Sequence, residues 1–410
     1  MGFAPPASTR EGPARRHAGR MDACRRAAPA PKRLASAVRR PRAMTAPFTP
    51  LVADLPATTP FVGPEAQERA RGRPFRARLG ANESVFGPAP AAVAAMAEAA
   101  ADGWMYGDPE THALRAAVAA EAGVPVASVT VGEGIDGLLG VALRLFVEPG
   151  AAVVTSLGAY PTFAYHAAGL GARLLRVPYR DDREDLDALA ATAQAEGARV
   201  VYLSNPDNPM GTWWTGEAVA AFRAALPEGC VLFLDEAYRE FAPEEAQAPV
   251  AADDTGVIRF RTFSKAHGLA GLRVGCAFAA PQVAAAFDKL RNHFGVNRVA
   301  QAGALAALAA SDHLAAVVAK VAAARERLTA IASDNGLAAI PSAANFVAID
   351  CGRDGAFARR VLAEVVARDV FIRMPGAAPL DRCIRVSAGT EADMALFAEV
   401  LPKALAAARA

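Results

Sequence analysis

The sequence predicts an α/β protein with two parts: a large domain built on a doubly wound, mostly parallel β-sheet, and a smaller α+β domain. Between residues 88 and 300, short apolar runs that end at turn-forming residues alternate with alanine-rich helical segments, which is the pattern of βαβ units. The run at residues 231–234, Val-Leu-Phe-Leu, shows no polar alternation and is typical of a central parallel strand. Polar residues directly follow several of these runs, at strand carboxyl ends, where such sheets bind ligands.

Composition along the chain predicts four segments. Residues 1–44 hold eleven basic and two acidic residues without a hydrophobic period, so we expect a disordered basic extension. A start codon assigned too early, with Met44 as the true first residue, explains this segment, and an arginine-rich transit peptide is the alternative. Residues 45–87 are punctuated by proline and predict an N-terminal arm that joins the small domain. The large domain is placed at 88–300 and the small C-terminal domain at 301–410.

Composition also narrows the class of protein. The 410 residues are 53% hydrophobic and 21% charged, as in a globular protein. Beyond residue 44 the chain carries 33 basic and 40 acidic residues, so we expect no nucleic acid as a partner. No apolar run approaches the ~18–20 residues of a membrane span, so we expect no membrane partner. Five cysteines without a Cys-x-x-Cys spacing predict no disulfide framework, no metal site and a reducing, cytoplasmic location.

The first predicted strand leads into a turn suited to phosphate. Helices are predicted at residues 91–101 and 112–123, followed by a strand at 129–131 and a helix at 138–147. The turn between the last two reads Gly-Glu-Gly-Ile-Asp-Gly at residues 132–137. A strand that enters a glycine turn and then a helix brings free backbone N–H groups and the helix dipole to one point, where an anion binds. The turn matches neither a Walker loop nor a dinucleotide-binding fingerprint.

Polar groups follow three further predicted strands. Residues 199–203 lead into two Asn-Pro pairs, which hold Asn208 in a rigid turn. The run at 231–234 delivers Asp235, whose charge is costly after four apolar residues unless a cation pairs with it. A strand around residues 257–260 leads to Ser264 and Lys265, and then to a glycine-broken turn with Arg273. Neighbouring cations lower the pKa of such a lysine and favour its use as a nucleophile.

The C-terminal third predicts the small domain. A helix that runs into a loop is expected at 282–295, and an apolar helix at 297–308. A long amphipathic helix at 314–335 is expected to bridge the two domains. Strands at 345–349, 370–373 and 383–387 and a helix at 357–369 complete this part. Arg373 and Arg385 lie on the last two strands, and a bidentate guanidinium is suited to reading a carboxylate or a phosphate.

Several of these motifs resemble one known family. Residues 264–275, Ser-Lys-Ala-His-Gly-Leu-Ala-Gly-Leu-Arg-Val-Gly, resemble the lysine segment of fold-type I pyridoxal-phosphate (PLP) aminotransferases, and most of all the histidinol-phosphate aminotransferase branch. Residues 205–211, Asn-Pro-Asp-Asn-Pro-Met-Gly, are similar to the family's Asn-Pro-x-Asn-Pro-Thr-Gly, with methionine in place of threonine. Residues 82–87 look like its Asn-Glu-Asn-Pro-x-Gly loop. The resemblance runs from about residue 78 to about residue 390.

The resemblance implies roles for the residues that match. Lys265 carries the cofactor and moves a proton, Asp235 pairs with the pyridine nitrogen, and Asn208 and Tyr238 contact the phenolic oxygen. Phe163 matches the aromatic residue that stacks on the ring, although an ordinary core phenylalanine explains it as well. The phosphate of the cofactor is expected to contact Gly134, Ile135, Asp136, Ser264, Arg273 and, from a partner subunit, Tyr106. The substrate is expected to contact Arg385 through its carboxylate, Arg373 through a phosphate, and Asn82.

The implied activity is transfer of an amino group between an amino donor and a 2-oxo acid, most like histidinol phosphate with 2-oxoglutarate, in a cytoplasmic homodimer. Phe61 stands near the position of a tyrosine that touches the substrate phosphate in that branch. An aromatic amino-acid aminotransferase is therefore an alternative. A decarboxylase of the same fold, of the threonine-phosphate type, shares every cofactor residue and is a second alternative.

Overall fold

The computed structural model describes residues 46–57, 61–248 and 253–410. The predictions for residues 1–44 lie outside the described residues. Residues 49–410 form one compact unit.

Twelve strands and thirteen α-helices lie in the described ranges. The strands are β1 (Ala77–Arg78), β2 (Val129–Gly132), β3 (Ala152–Ser156), β4 (Arg173–Val177), β5 (Val200–Ser204), β6 (Val231–Asp235), β7 (Val257–Thr262), β8 (Gly275–Phe278), β9 (Ala338–Ala339), β10 (Phe346–Asp350), β11 (Val370–Phe371) and β12 (Cys383–Ser387). The helices are α1 (Pro50–Asp54), α2 (Pro64–Arg71), α3 (Pro90–Ala101), α4 (His112–Ala122), α5 (Gly134–Phe146), α6 (Pro161–Gly169), α7 (Leu186–Glu196), α8 (Gly216–Ala224), α9 (Pro281–Ala286), α10 (Arg298–Leu308), α11 (Ser311–Asp334), α12 (Gly355–Ala367) and α13 (Glu391–Arg409).

A seven-stranded sheet forms the centre of the molecule, in the order β2-β8-β7-β6-β5-β3-β4. The strands from β4 to β7 pair in parallel, whereas β8 is antiparallel to both of its neighbours. The predicted α/β class with a mostly parallel sheet is confirmed. The register aligns Ser204 with Asp235 and Asp235 with Phe260, so the carboxyl ends of β5, β6 and β7 lie side by side.

Both faces of this sheet are covered, which is why its central strands are continuously apolar. Val200 and Tyr202 of β5 pack into one core with helices α5 and α6, while Val201 and Leu203 pack into another with α7 and α8. Successive side chains of a strand point to opposite faces, and each face here needs an apolar one.

A second group of elements is antiparallel and α+β in character. Strand β10 pairs with β12 and β9, and helices α11, α12 and α13 share a core with them. The parallel pairing of β1 with β11 ties the N-terminal arm to this group. Helix α10 packs on α3 and shares the core of the large sheet. The division into domains at residues 88 and 300 stays a prediction.

Two elements next to the site differ from the prediction. Helix α5 begins at Gly134, four residues early, because the positive φ of 72° at this glycine turns the chain directly from β2 into the helix. Strand β11 ends at Phe371, and Arg373 makes only an isolated bridge with Arg385. In the described part of the chain, no single helix is long and apolar enough to cross a membrane. Helices α10 and α11 reach that composition only together, with a bend of 81° between them.

Candidate active site

A cavity of about 640 Å³ opens at the carboxyl ends of β5, β6 and β7. It brings together residues that lie more than three hundred positions apart in the sequence. The predicted site residues that line it are Asn82, Ile135, Asp136, Asn208, Asp235, Tyr238, Ser264, Lys265, Arg273, Arg373 and Arg385. Gly134 lies against the guanidinium of Arg273. Phe163 and Tyr106 do not line the cavity.

Lys265 lies on the turn after β7, and its Nζ donates a hydrogen bond to the backbone carbonyl of Asn82 at 3.0 Å. The ammonium group also lies over the ring of Tyr238, 5.6 Å from its centroid. Burial, followed by the nearby charge of Arg385, lowers the pKa of Lys265 to about 8. A lysine with this pKa is partly neutral near physiological pH, as a nucleophile and proton-transfer group requires.

Asp235 ends β6 and is 4% exposed. Its Oδ2 accepts a hydrogen bond from the hydroxyl of Tyr202 at 2.7 Å, and its Oδ1 accepts one from the backbone N–H of Ala237 at 2.9 Å. No lysine or arginine in the described ranges forms an ion pair with it. Burial raises the pKa of Asp235 to about 6. A buried carboxylate held only by neutral donors suits a cationic atom of a ligand.

Asn82 connects the N-terminal arm, the lysine and the end of β12. Its Nδ2 donates to the hydroxyl of Tyr238 at 3.0 Å, and its backbone N–H donates to Oγ of Ser387 at 3.1 Å. Its carbonyl accepts from Lys265 and, at 3.1 Å, from Nδ2 of Asn345. Burial raises the pKa of Tyr238 to about 12, so this hydroxyl keeps its proton at neutral pH.

Arg273 gathers the groups expected to hold a phosphate. Its Nη1 donates to Oγ of Ser264 at 3.3 Å, and its Nη2 donates to Oδ2 of Asp136 at 3.4 Å. A Cβ on Gly134 would lie 2.6 Å from Nη2 of Arg273, so a larger residue there would displace this guanidinium. The first N–H groups of α5 have no partner within the helix, and they begin at this same residue.

The two predicted substrate arginines face each other across an antiparallel bridge. Arg385 is 9% exposed; its Nη1 donates to Oδ1 of Asn208 and its Nη2 donates to the carbonyl of Gly80 at 3.3 Å. Its buried Nε has no hydrogen-bond partner among the described residues. Burial lowers the pKa of Arg385 to about 10, which still leaves it cationic at neutral pH. Arg373 donates to the carbonyl of Val62 in the arm at 2.9 Å.

The structure corrects the prediction for Phe163. This side chain is fully buried in the first turn of α6, where it stacks on Tyr202 with ring centroids 4.8 Å apart. Tyr160, just before the helix, lines the cavity instead and donates to Oδ1 of Asp136 at 2.9 Å. Its ring also stacks on Phe61, with centroids 5.8 Å apart. The sequence signal was present, because an aromatic residue directly before Pro161 lies in the loop that precedes the helix, whereas a residue inside the helix packs on the sheet.

Tyr106 lies away from the cavity of its own chain. Its side chain is 76% exposed and stacks on Phe294, with ring centroids 4.5 Å apart. Trp104, two residues before it, is 81% exposed.

The residues present fit pyridoxal phosphate. Asp235 offers an anion to the pyridine nitrogen, the cradle of Arg273 and Ser264 offers donors to a phosphate, and Lys265 offers an amine between them. No group of three or more His, Cys, Asp or Glu side chains in the described ranges could hold a metal ion. The fold and the site together define a class of protein: an enzyme that binds pyridoxal phosphate at the edge of a mostly parallel sheet.

Comparison with known proteins identifies the family to which the chain belongs. The model of the family "Aminotransferase class I and II" matches residues 77–401, and the chain belongs to this family. A histidinol-phosphate aminotransferase of Ralstonia nicotianae is 40% identical over 338 residues, which are 81% of this chain and 90% of that protein. An aromatic amino acid aminotransferase of Thermobifida fusca is 40% identical over 282 residues, 68% of this chain and 78% of that protein.

A crystal structure of similar fold is that of histidinol-phosphate aminotransferase from Sinorhizobium meliloti in complex with pyridoxal-5'-phosphate. It has a TM-score of 0.86 and 54% sequence identity, and the match covers 89% of this chain and 99% of that one.

Proposed function

We propose that the enzyme is a pyridoxal-phosphate-dependent aminotransferase that moves the amino group of histidinol phosphate to 2-oxoglutarate. The observation that carries the proposal is the pair Arg373 and Arg385, which line the same cavity as Lys265 from opposed positions of one bridge. A guanidinium binds a phosphate or a carboxylate equally well. Histidinol phosphate, which carries a phosphate, and the 2-oxo acid, which carries carboxylates, would bind to these two arginines one after the other. The Ralstonia nicotianae and Sinorhizobium meliloti relatives support the same substrate.

The side chains of this site bind the substrate and move one proton. When bound, pyridoxal phosphate supplies an electron sink for the bond that breaks at the amino-bearing carbon. Lys265, whose pKa is lowered to about 8, takes the proton from that carbon as a general base and, as a general acid, delivers it to the second carbon of a 1,3-proton shift. Asp235 would balance a positive charge on the pyridine ring, and Tyr238 and Asn208 line the same cavity, where Asn208 accepts from Arg385.

The substrate assignment predicts a selective effect of Arg373→Ala. We expect kcat/KM for histidinol phosphate to fall about 10- to 100-fold, because a hydrogen bond to a charged group is worth about 1.5–3 kcal/mol. Turnover of phenylalanine, which has no phosphate, should change by less than about threefold. Initial rates with both donors and 2-oxoglutarate measure the difference.

Arg327→Ala is the matched control, because this arginine is exposed on α11, away from the cavity. Equal losses for both donors would show that Arg373 does not read phosphate, and the histidinol-phosphate assignment would lose its main support. Release of CO₂ from threonine phosphate in the absence of a 2-oxo acid would instead indicate the decarboxylase alternative.

An aromatic amino-acid aminotransferase is the second candidate, and Phe61 favours it. This ring lines the cavity, lies 5.2 Å from the guanidinium of Arg373 and stacks on Tyr160, but it has no hydroxyl to offer a phosphate. The Thermobifida fusca relative supports the same candidate. We therefore expect measurable turnover of phenylalanine, with histidinol phosphate preferred. Phe61→Tyr should raise that preference further.

We infer that the active unit is a homodimer. Tyr106 and Phe294 form an exposed aromatic pair next to Trp104, and burying such a patch against a second copy is favourable. Two-fold pairing would let Tyr106 reach the phosphate site of the partner. Sedimentation of the wild type should give a dimer, and Tyr106→Phe should weaken cofactor retention about tenfold. An active monomer would contradict this inference.

The thiols support a reducing location, which we propose is the cytoplasm. Cys230, Cys276, Cys351 and Cys383 are all buried and free. Burial raises the pKa of Cys276 to about 12, so the thiol stays protonated and unreactive.

A further inference from the structure

Two buried carboxyl groups lie next to the cavity without lining it, and no step of the proposed reaction uses them. Glu184, between β4 and α7, is 1% exposed, and Asp207, after β5, is 2% exposed. Their carboxyl groups lie close enough for each to affect the pKa of the other, and Glu184 accepts from the backbone N–H of Ser204, three residues before Asp207. Two carboxyl groups that share one buried site repel each other when both are charged, so one of them holds a proton.

Each carboxyl group is also held by neutral donors. Oδ1 of Asp207 accepts from the hydroxyl of Tyr179 at 2.8 Å, and Oδ2 accepts from the backbone N–H of Met210 at 2.9 Å. Oε1 of Glu184 accepts from the backbone N–H of Ser204 at 3.3 Å. Its buried Oε2 lacks a donor of good hydrogen-bond geometry in the described part of the chain. Each oxygen of Asp207 therefore accepts a hydrogen bond from a neutral donor, and Glu184 has one oxygen left to carry a proton.

The surroundings supply one charge of opposite sign. The titratable and polar groups that face the pair from neighbouring elements are Ser156, Tyr179, Tyr202, Tyr238 and Arg385. Arg385 attracts the charge of Asp207, although its Nη1 is committed to Asn208. Burial, followed by the charge of Asp207, raises the pKa of Glu184 well above its ordinary value. Glu184 is therefore the protonated member at neutral pH.

The pair is connected to the site through one turn. The bond from the N–H of Met210 to Oδ2 of Asp207 closes a turn that contains Asn208. Two backbone bonds, from Asp207 N–H to Thr212 at 2.8 Å and from Gly211 N–H to Asp207 at 3.0 Å, brace it. Since Oδ1 of Asn208 accepts from Arg385, its Nδ2 is the atom that is left to donate into the cavity.

We propose that Glu184 and Asp207 share one proton as an acid–carboxylate pair and act as positioning residues for Asn208 and Arg385. The pair fixes the turn that holds Asn208 against Arg385, and it places a single negative charge behind the cavity. This inference goes beyond the proposed function and holds for any amino donor.

The shared proton predicts a pH dependence of stability that Glu184→Gln removes. A carboxyl group whose pKa is raised on folding binds its proton more tightly in the folded state, so unfolding releases it and stability falls as the pH rises. Between about pH 5 and 7, we expect the unfolding constant of the wild-type holoenzyme to rise about tenfold per pH unit relative to Glu184→Gln. Glu217→Gln, an exposed change on α8, should follow the wild type. Parallel curves for wild type and Glu184→Gln would overturn the proposal.

The single charge predicts a spectroscopic contrast that a merely structural role would not produce. Glu184→Gln keeps the charge of Asp207, whereas the double variant with Asp207→Asn is neutral. A nearby negative charge favours a protonated cofactor, so its loss should lower the midpoint of the pH titration of the cofactor absorbance by half a unit or more. We expect this shift in the double variant and no shift in Glu184→Gln. An unchanged midpoint in the double variant would show that the pair does not act on the site, whatever the substrate proves to be.

Discussion

Lys265→Ala will abolish turnover and covalent cofactor binding, with a loss in kcat of at least about 10⁴-fold. In the proposed reaction Lys265 supplies both the nucleophile and the proton-transfer group, so removing this one side chain removes both functions. Its Nζ already sits against the carbonyl of Asn82 and the ring of Tyr238, so its position does not depend on substrate. The wild-type protein should be yellow and should retain cofactor on Lys265 after borohydride reduction, as peptide mass mapping can measure.

Lys289→Ala provides the matched control, because Lys289 is exposed on the short helical turn after α9 and does not line the cavity. It should keep full activity and full cofactor content. Reducible cofactor that remains covalently bound in Lys265→Ala would show that another amine carries it, and the assignment of the lysine would be wrong.

The residues best predicted from sequence are those whose role depends on their position after a strand. Asp235 follows four apolar residues, and Lys265 follows a strand and a hydroxyl pair, so both could be placed at the ligand-binding edge of the sheet without a structure. The observed order of β5, β6 and β7 brings them to one cavity.

The residues that sequence reasoning missed depend on contacts between distant segments. Tyr202 donates to Asp235 from the neighbouring strand, and Asn345 donates to the carbonyl of Asn82, 263 positions away. No local pattern marks either residue, because a tyrosine within a strand and an asparagine before one are common for other reasons. Strand β8 reverses direction directly after the lysine turn, and the alternating βαβ pattern gave no indication of an antiparallel strand.

Phe163 and Tyr160 show why a motif match alone can identify the wrong one of two neighbouring aromatic residues. Both rings flank Pro161, and both satisfy the chemistry of stacking. Only the direction of α6 decides between them: the helix begins at Pro161 and turns Phe163 onto Tyr202 in the sheet, while Tyr160 stays in the loop before the helix, at the cavity. The motif narrows the stacking residue to two neighbouring aromatic side chains, and the packing of α6 determines which of them faces the cavity.

Asp235→Asn will lower kcat by about 10²–10³-fold, the usual effect of removing one preorganised electrostatic group. Asparagine keeps the size of the side chain and an acceptor for the hydroxyl of Tyr202, but it cannot balance a positive charge at the ring of the cofactor. The loss should appear in single-turnover rates of either half-reaction, because the electron sink is used in both directions. Loss of less than about tenfold would show that Asp235 does not pair with the cofactor.

The same variant predicts a change in stability that can be measured without turnover. Burial raises the pKa of Asp235 to about 6, above the ~3.9 of an unfolded chain. In cofactor-free protein, the folded state therefore binds this proton more tightly, and stability is lost as the pH rises from about 4 to about 6, by up to about 1.4 kcal/mol per pH unit. Asp235→Asn should remove that component, so its melting temperature should exceed that of the wild type increasingly toward pH 6 when both lack cofactor. Bound cofactor should make the wild type the variant with the higher melting temperature, because a cation against the carboxylate stabilises its charged form only in the wild type. Identical melting curves with and without cofactor would show that the carboxylate of Asp235 meets no cation in this site.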